Sequence, residues 1–347
     1  MTHRFAGLLS VIILISCSSA NAVEPVETIL FGSCIKQDRP MPILGEMAKQ
    51  QADAVLFLGD NIYADTHDMK VMREKYATLA KNTDFQALKQ HAPIFAVWDD
   101  HDYGINDGGA DYPQRVEAQK EFLDFWGVEK DSPRRTREGI YDSVILGPEG
   151  KRIQILLLDT RYFRSTLKKS AERRVGGPYI PDSDPAKTLL GEAQWKWLEG
   201  ELKKPAEVRI IASGIQCVPS DAGQETWANL PRERQRLFDL ISKTKASGAF
   251  IVSGDRHWSE FSMTDENVDY PIYDFTSSSF NQIHPRGTPT DNQYRISDST
   301  YHKENYGVIQ IDWEKADPTI KIQIRDINSK LQLQNTLKLS ELQARSK

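Results

Sequence analysis

The chain has 347 residues, 44 of them basic and 49 acidic, for a formal charge of -5. That balance excludes a polybasic surface for nucleic acid or membranes, while the length suffices for one large α/β core. Three cysteines are too few for a disulfide-framed scaffold.

Residues 1–22 read as a leader. Arg4 supplies the positive end, Phe5 to Ser16 a short apolar run, and Ala20-Asn21-Ala22 an A-x-A cleavage site before Val23. The run is too short to span a bilayer. Leu14-Ile15-Ser16-Cys17 also resembles a lipobox, in which Cys17 would carry a lipid and hold the protein to a membrane. Both readings export the protein, to the periplasm or beyond, and the absence of a twin arginine points to the Sec route. Residues 23–347 read as one domain, because neither a repeat nor a low-complexity linker interrupts them.

Thr28 to Phe31 is the first predicted strand and ends at Gly32-Ser33-Cys34. Pro42 to Gln50 has helical spacing, with Ile43, Leu44 and Met47 on one face. The unbroken apolar run Ala54 to Leu58, typical of a strand buried on both faces, stops at Gly59-Asp60-Asn61-Ile62-Tyr63. Helices are predicted over Met72 to Ala80 and Phe85 to Gln90. A third strand, Ile94 to Trp98, ends at Asp99-Asp100-His101-Asp102, and a loop with Gly104, Gly108 and Gly109 follows. Gln114 to Trp126 reads as helix.

Ile140 to Leu146 and Ile153 to Leu158 read as strands joined by the turn Gly147-Pro148-Glu149-Gly150. The second ends at Asp159-Thr160-Arg161. The polar, Gly-, Pro- and Arg-rich stretch from Phe163 to Pro185 is a long surface loop, the kind that serves as a lid or binding loop. Trp195 to Lys203 is helical, Val208 to Ala212 a strand, and Pro231 to Thr244 a helix with proline at its first position. Ala249 to Val252 runs into Gly254-Asp255-Arg256-His257-Trp258. Glu260 to Met263, Ile272 to Phe275, Val308 to Ile311 and Ile320 to Ile324 complete a strand-rich tail. Strand–helix alternation followed by strands alone predicts an α/β fold of two stacked sheets with helices outside.

The strand ends collect chemistry: Cys34, Asp60 with Tyr63, Asp100 with His101, and Asp255 with His257. Ligands of α/β sheets bind at the carboxyl ends of strands. Carboxylates, imidazole, phenolate and thiolate there suit two or three cations, with Asp60 as the bridging ligand. Cations so held neutralise a phosphate ester and lower the pKa of a bound water, so the expected reaction is metal-assisted phosphoester hydrolysis. Each residue has a plainer use. Cys34 and Cys217 can pair in an oxidising compartment, Tyr63 can be a packed aromatic, and the Asp99 to Asp102 cluster a solvated turn. His67, His91, His284 and His302 read as surface or satisfied core residues, Arg134, Arg135 and Arg137 as a solvated loop, and the aromatic stripe from Asp111 to Trp126 as core. A catalytically silent phosphate- or metal-binding surface protein is the rival from another functional class.

Phe31-Gly32-Ser33-Cys34, Gly59-Asp60-Asn61-Ile62-Tyr63-Ala64-Asp65, Trp98-Asp99-Asp100-His101-Asp102, Leu158-Asp159-Thr160-Arg161-Tyr162 and Ser253-Gly254-Asp255-Arg256-His257 occur in this order. Together they resemble the alkaline phosphatase D (PhoD-like) family of calcineurin-like metallophosphoesterases. The resemblance implies a four-layer α/β/β/α sandwich of two mixed sheets flanked by helices. It implies iron(III) among Cys34, Asp60, Tyr63 and His257, and calcium bridged by Asp60 and assisted by Asp255, with zinc or manganese as the alternatives. Asp100 stands where the superfamily usually carries a metal-binding Asn, and Asn106 is a second candidate for that role. His101 falls at the position that protonates leaving groups, Arg161 would clamp phosphate, and a metal-bound hydroxide would be the nucleophile. The implied activity is hydrolysis of small phosphate monoesters at alkaline pH, with phosphodiesterase or phospholipase D-like cleavage as the alternative. Founding members are Tat-exported and carry an added N-terminal β domain. With neither a twin arginine nor room for that domain, this chain is expected to be a minimal version.

Overall fold

The structure, a computed structural model, describes residues 23–172, 176–284 and 291–344; the leader 1–22 lies outside them. Its strands in chain order are β1 (Thr28–Gly32), β2 (Ala54–Leu58), β3 (Ile94–Val97), β4 (Asp142–Leu146), β5 (Ile153–Leu157), β6 (Val208–Ser213), β7 (Ala249–Ser253), β8 (Glu260–Thr264), β9 (Ile272–Thr276), β10 (Asn305–Asp312), β11 (Thr319–Asp326) and β12 (Leu331–Lys338). The helices are α1 (Pro42–Ala48), α2 (Met69–Lys81), α3 (Thr83–His91), α4 (Asp100–Tyr103), α5 (Arg115–Phe125), α6 (Gly191–Leu202) and α7 (Pro231–Thr244).

Local chemistry explains the helix starts. Asp68 accepts a hydrogen bond from the Lys70 amide ahead of α2, and Asn82 does the same for Phe85 ahead of α3. Met72, Tyr76 and Leu79 then bury one face of α2 at helical spacing. Pro231 opens α7 where its missing N–H costs nothing.

The first sheet runs β12-β11-β10-β1-β2-β3 and the second β4-β5-β6-β7-β9-β8. β1, β2 and β3 are parallel, as are β5, β6, β7 and β9, and the other pairings are antiparallel. The sheets face each other through β2 on β6 and β3 on β5. α1 reaches β10 and packs on α3, while α6 packs on α7 and its Glu201 carbonyl receives Gln154 of β5. This is the expected layering of two mixed sheets between helices. All five residues of β2, β5 and β7 are buried, which is why β2 reads as an unbroken apolar run and β5 and β7 each carry a single polar residue, Gln154 and Ser253.

Three local expectations change. β12 gave no signal because it is an edge strand whose polar, largely exposed residues form no apolar run. Asp100–Tyr103 is a short helix and not a turn, with the Asp99 amide donating to Asp102 Oδ1 at 2.6 Å. The Arg134 to Arg137 run is not a solvated loop. Arg134 is buried and donates to the Ile140 carbonyl, and the Arg137 guanidinium lies 4.0 Å from the centroid of the Tyr141 ring.

The strand-end loops of the two sheets meet at van der Waals distance. A Cβ on Gly254 would lie 2.6 Å from Ser33 Oγ and 2.7 Å from the Leu58 carbonyl oxygen. Gly59, at φ +94°, faces Asp99 with the same lack of room. Gly254→Ala is therefore expected to destabilise the protein by about 1–3 kcal/mol, the usual cost of forcing atoms into a packed site. A urea melt matching that of the unaltered protein would show that the loops can part freely.

Candidate metal centre

Cys34 follows β1, Asp60 and Tyr63 follow β2, Asp100 and His101 follow β3, and Asp255 and His257 follow β7. All these strands run parallel within their own sheets, so their carboxyl ends converge on one edge of the sandwich. Four of the residues leave their strands in the left-handed region: Cys34 at φ 65°, Asp60 at 50°, Asp255 at 68° and His257 at 59°. Such backbone is costly for non-glycine residues and gathers at functional sites.

One cluster joins the two sheets. Tyr63 Oη donates to Asp60 Oδ2 at 3.1 Å and lies 2.9 Å from His257 Nε2. Cys34 Sγ lies 3.5 Å from Asp60 Oδ2 and 3.1 Å from Ser278 Oγ, and Ser278 Oγ accepts the His257 amide at 2.8 Å. Cys34 and Cys217 are both free thiols, so the alternative disulfide is not formed. A second cluster is built on Asp100, whose carboxylate accepts the His101 and Asp107 amides at 2.9 and 2.7 Å. His101 Nδ1 pairs with Asp65 Oδ1 at 2.6 Å, and its ring lies 4.2 Å from that of Tyr63.

Asp60, Asp100, Asn106, Asp255, His101 and His257 line a single cavity of about 220 Å³. Potential ligand atoms lie within 4.8 Å of one another in Cys34–Asp60–His257, Asp60–Asp100–His101, Asp99–Asp100–Asp255 and Asp100–Asp107–Glu225. Asp60 belongs to the first two of these groups, which is the placement a bridging ligand needs.

Burial and mutual repulsion set the electrostatics of this cluster. Burial and the neighbouring Asp100 carboxylate push Asp60 well above the ordinary carboxylate range. Burial raises Asp255 to about 7 and lifts the Cys34 thiol and the Tyr63 phenol, with Asp60 reinforcing the last two. Burial lowers His257 to about 4, leaving its imidazole neutral and its lone pair available. Burial would also lower His101, but Asp100 and Asp65 outweigh it and hold the ring at about 9. Asp60 Oδ1 is buried with no hydrogen-bond partner among the described residues. An orphaned oxygen amid oxygen, nitrogen and sulfur donors fits a bound cation.

Arg161 is fully buried, its guanidinium binds Asp99 and Glu225, and it is not among the residues that line the cavity. His284, expected at the surface or in a satisfied core, lines the cavity, with its ring 6.3 Å from that of Trp258. Sequence reasoning assigned no role to Asp65, Asp107, Glu225 or Ser278. Ser278 closely follows β9 and could have been found by extending the strand-end rule, whereas Glu225 lies on irregular chain that carries no such signal. The long loop does reach the site. Gly176 lines the cavity, and Tyr179 donates to Asp107 Oδ2 at 2.6 Å.

Two mixed sheets whose parallel strands bring carboxylates and imidazoles to one cavity, with the Cys34 thiol and the Tyr63 phenol in contact with its Asp60, define an α/β sandwich with a candidate multi-cation centre. The chain belongs to the PhoD-like phosphatase family, whose model matches residues 29–317. Alkaline phosphatase D of Bacillus subtilis (strain 168) is 22% identical over 278 residues, 67% of this chain and 46% of that protein. The chain thus spans less than half of that relative's length. The solved structure of PhoD superposes with a TM-score of 0.72 at 18% identity, covering 94% of this chain and 72% of that one. GAP50, the anchor in the inner membrane complex of Plasmodium, superposes with a TM-score of 0.58 at 13% identity, covering 93% and 90%. These structural likenesses show the fold.

The raised carboxylates have a thermal consequence in cation-free protein. A raised Asp contributes its stability fully below its unfolded pKa of roughly 3.9 and loses it as pH rises through its folded value. For Asp255 that window ends at about 7. The chelated protein should therefore lose melting temperature between pH 5 and 8 relative to cation-replete protein. Scanning fluorimetry showing a gap that stays constant or narrows with pH would contradict this account.

Proposed function

We propose that the protein is an exported, cation-dependent phosphoric ester hydrolase acting on small phosphate monoesters. The observation that carries this reading is the set of four overlapping ligand groups at and beside one cavity, together with a histidine held by its own carboxylate. Cys34, Asp60, Tyr63 and His257 would hold iron(III), with Asp60 shared toward calcium held by Asp100 and Asp255. Mixed sulfur, nitrogen and phenol donors suit a transition metal, and all-oxygen donors suit calcium. When bound, these cations neutralise phosphoryl charge and acidify water. His101, fixed through Nδ1 by Asp65, is the residue that delivers a proton to the leaving oxygen. The small cavity favours a compact phosphate group with its leaving group outside.

The test is turnover of p-nitrophenyl phosphate and bis-p-nitrophenyl phosphate, before and after chelation, alongside elemental analysis. Chelator-sensitive monoester turnover with bound iron and calcium is expected. Preferential diester turnover would keep the centre and change the substrate class. Absence of turnover on both esters after reconstitution would leave a binding protein, a use compatible with a fold that also forms the GAP50 anchor.

Two substitutions probe the assigned roles. His101→Ala should lower monoester turnover by about 10²–10⁴-fold, the usual weight of a positioned proton donor, with cation content retained. Unchanged turnover would remove His101 from the chemistry. A phenolate on iron(III) absorbs visible light, so the protein should be coloured and Tyr63→Phe should bleach it. A colourless active protein would name a different metal.

A further inference from the structure

With Arg161 consumed by Asp99 and Glu225, the cavity needs another group to meet a phosphate oxygen. Arg256 is the single Lys or Arg side chain lining it among the described residues. It sits between the two left-handed residues Asp255 and His257. Its guanidinium carbon lies 4.3 Å from the centroid of the Trp258 ring, so the fork packs against the indole. Only 6% of the residue is exposed, yet among the described residues the guanidinium donates no hydrogen bond and Nε has no partner. Asp255 Oδ2, at 3.9 Å from Nη1, is beyond hydrogen-bond reach. A buried guanidinium with unused donors is expensive unless a ligand completes it. The surrounding Asp60, Asp100, Asp107, Glu225 and Asp255 give it a strongly acidic setting without a bonded partner.

We propose that Arg256 is the phosphate-binding arginine of this site, donating from its stacked guanidinium to non-bridging oxygens of a phosphoryl group. The proposal rests on the phosphoester reading above and assigns that site its anion-recognising residue. Arginine suits the task because its planar fork matches two oxygens at once, which a lysine ammonium cannot do. Asp255 and His257 on either side tie the fork to the cation ligands, so substrate charge is met from two directions. Trp258 covers one face of the guanidinium and excludes water from it.

The experiment uses cation-loaded protein, Arg256→Met and Arg256→Lys. Methionine keeps an unbranched stem on Trp258 without charge, and lysine keeps charge without the fork. Three quantities are measured: cation content, affinity for inorganic phosphate by calorimetry, and kcat/KM on p-nitrophenyl phosphate. Arg256→Met should lose about 10–100-fold in phosphate affinity, the range for a charge-assisted hydrogen bond, and at least as much in kcat/KM, with cation content unchanged. Arg256→Lys should recover only part of the affinity. Phosphate affinity and kcat/KM within twofold of the unaltered protein in Arg256→Met would overturn the proposal. So would a loss that excess cation restores, because Arg256 would then act only by supporting Asp255. If the unaltered protein binds phosphate but turns over no ester, the hydrolase reading fails while the Arg256 assignment is still decided by the binding data.

Discussion

The structure depends on how it disposes of carboxylates buried where its two sheets meet. Asp60, Asp99, Asp100, Asp102 and Asp159 past the strand ends, and Glu225 on irregular chain, are all withdrawn from solvent. Some are neutralised by the fold itself. Asp159 accepts the Trp98 indole at 2.8 Å together with the Ile140, Arg161 and Tyr162 amides. Asp102 accepts the Asp60, Asn61 and Asp99 amides and so ties the β2 loop to α4. Asp99 and Glu225 share the Arg161 guanidinium, a buried triad whose rupture typically costs about 3–5 kcal/mol. Asp60 Oδ1 and Asp99 Oδ2 have no hydrogen-bond partner among the described residues, and the Asp255 carboxylate has an arginine at 3.9 Å. The fold thus satisfies Asp102 and Asp159 fully and leaves oxygens of Asp60 and Asp99 open beside the cavity.

Backbone strain serves the same end. A strand alternates its side chains between faces, so residues continuing β1, β2 or β7 would not all reach one cavity. The left-handed turns at Cys34, Asp60, Asp255 and His257 break that alternation. Neighbouring hydrogen bonds sustain them: the Ile35 amide donates to the Asp60 carbonyl at 2.8 Å and the His257 amide to Ser278. Gly59 and Gly254 remove the Cβ atoms that would otherwise hold these loops apart. The candidate ligand cluster is thereby held together by the fold itself.

A second tier of contacts links the cavity to distant chain. Arg164 pairs with Glu225 at 3.0 Å, and Tyr179 holds Asp107. Residues of the long loop thus brace two acidic groups of the wall, so the loop is anchored at the site and does not merely cover it. Beyond the centre, no helix among the described residues is long and apolar enough to cross a membrane.

The order of elements and most of the ligand cluster were legible in the sequence because both are local signals. Buried parallel strands need unbroken apolar runs, and a strand that ends at a cavity places its polar residues just past the run. Cys34, Asp60, Tyr63, Asp100, Asp255 and His257 could be read from that adjacency. The edge strand β12 could not, since a strand with one neighbour and an exposed face needs no apolar run. Tertiary structure alone decided which charges face one another. Arg161 follows a strand end as the candidate ligands do, yet Asp99 and Glu225, 62 and 64 residues away, draw it into the interior. Arg256, beside two candidate ligands, donates no hydrogen bond among the described residues and lines the cavity wall. A charge is committed by whichever partner comes within hydrogen-bond reach, and that proximity exists only once the two sheets have closed on each other.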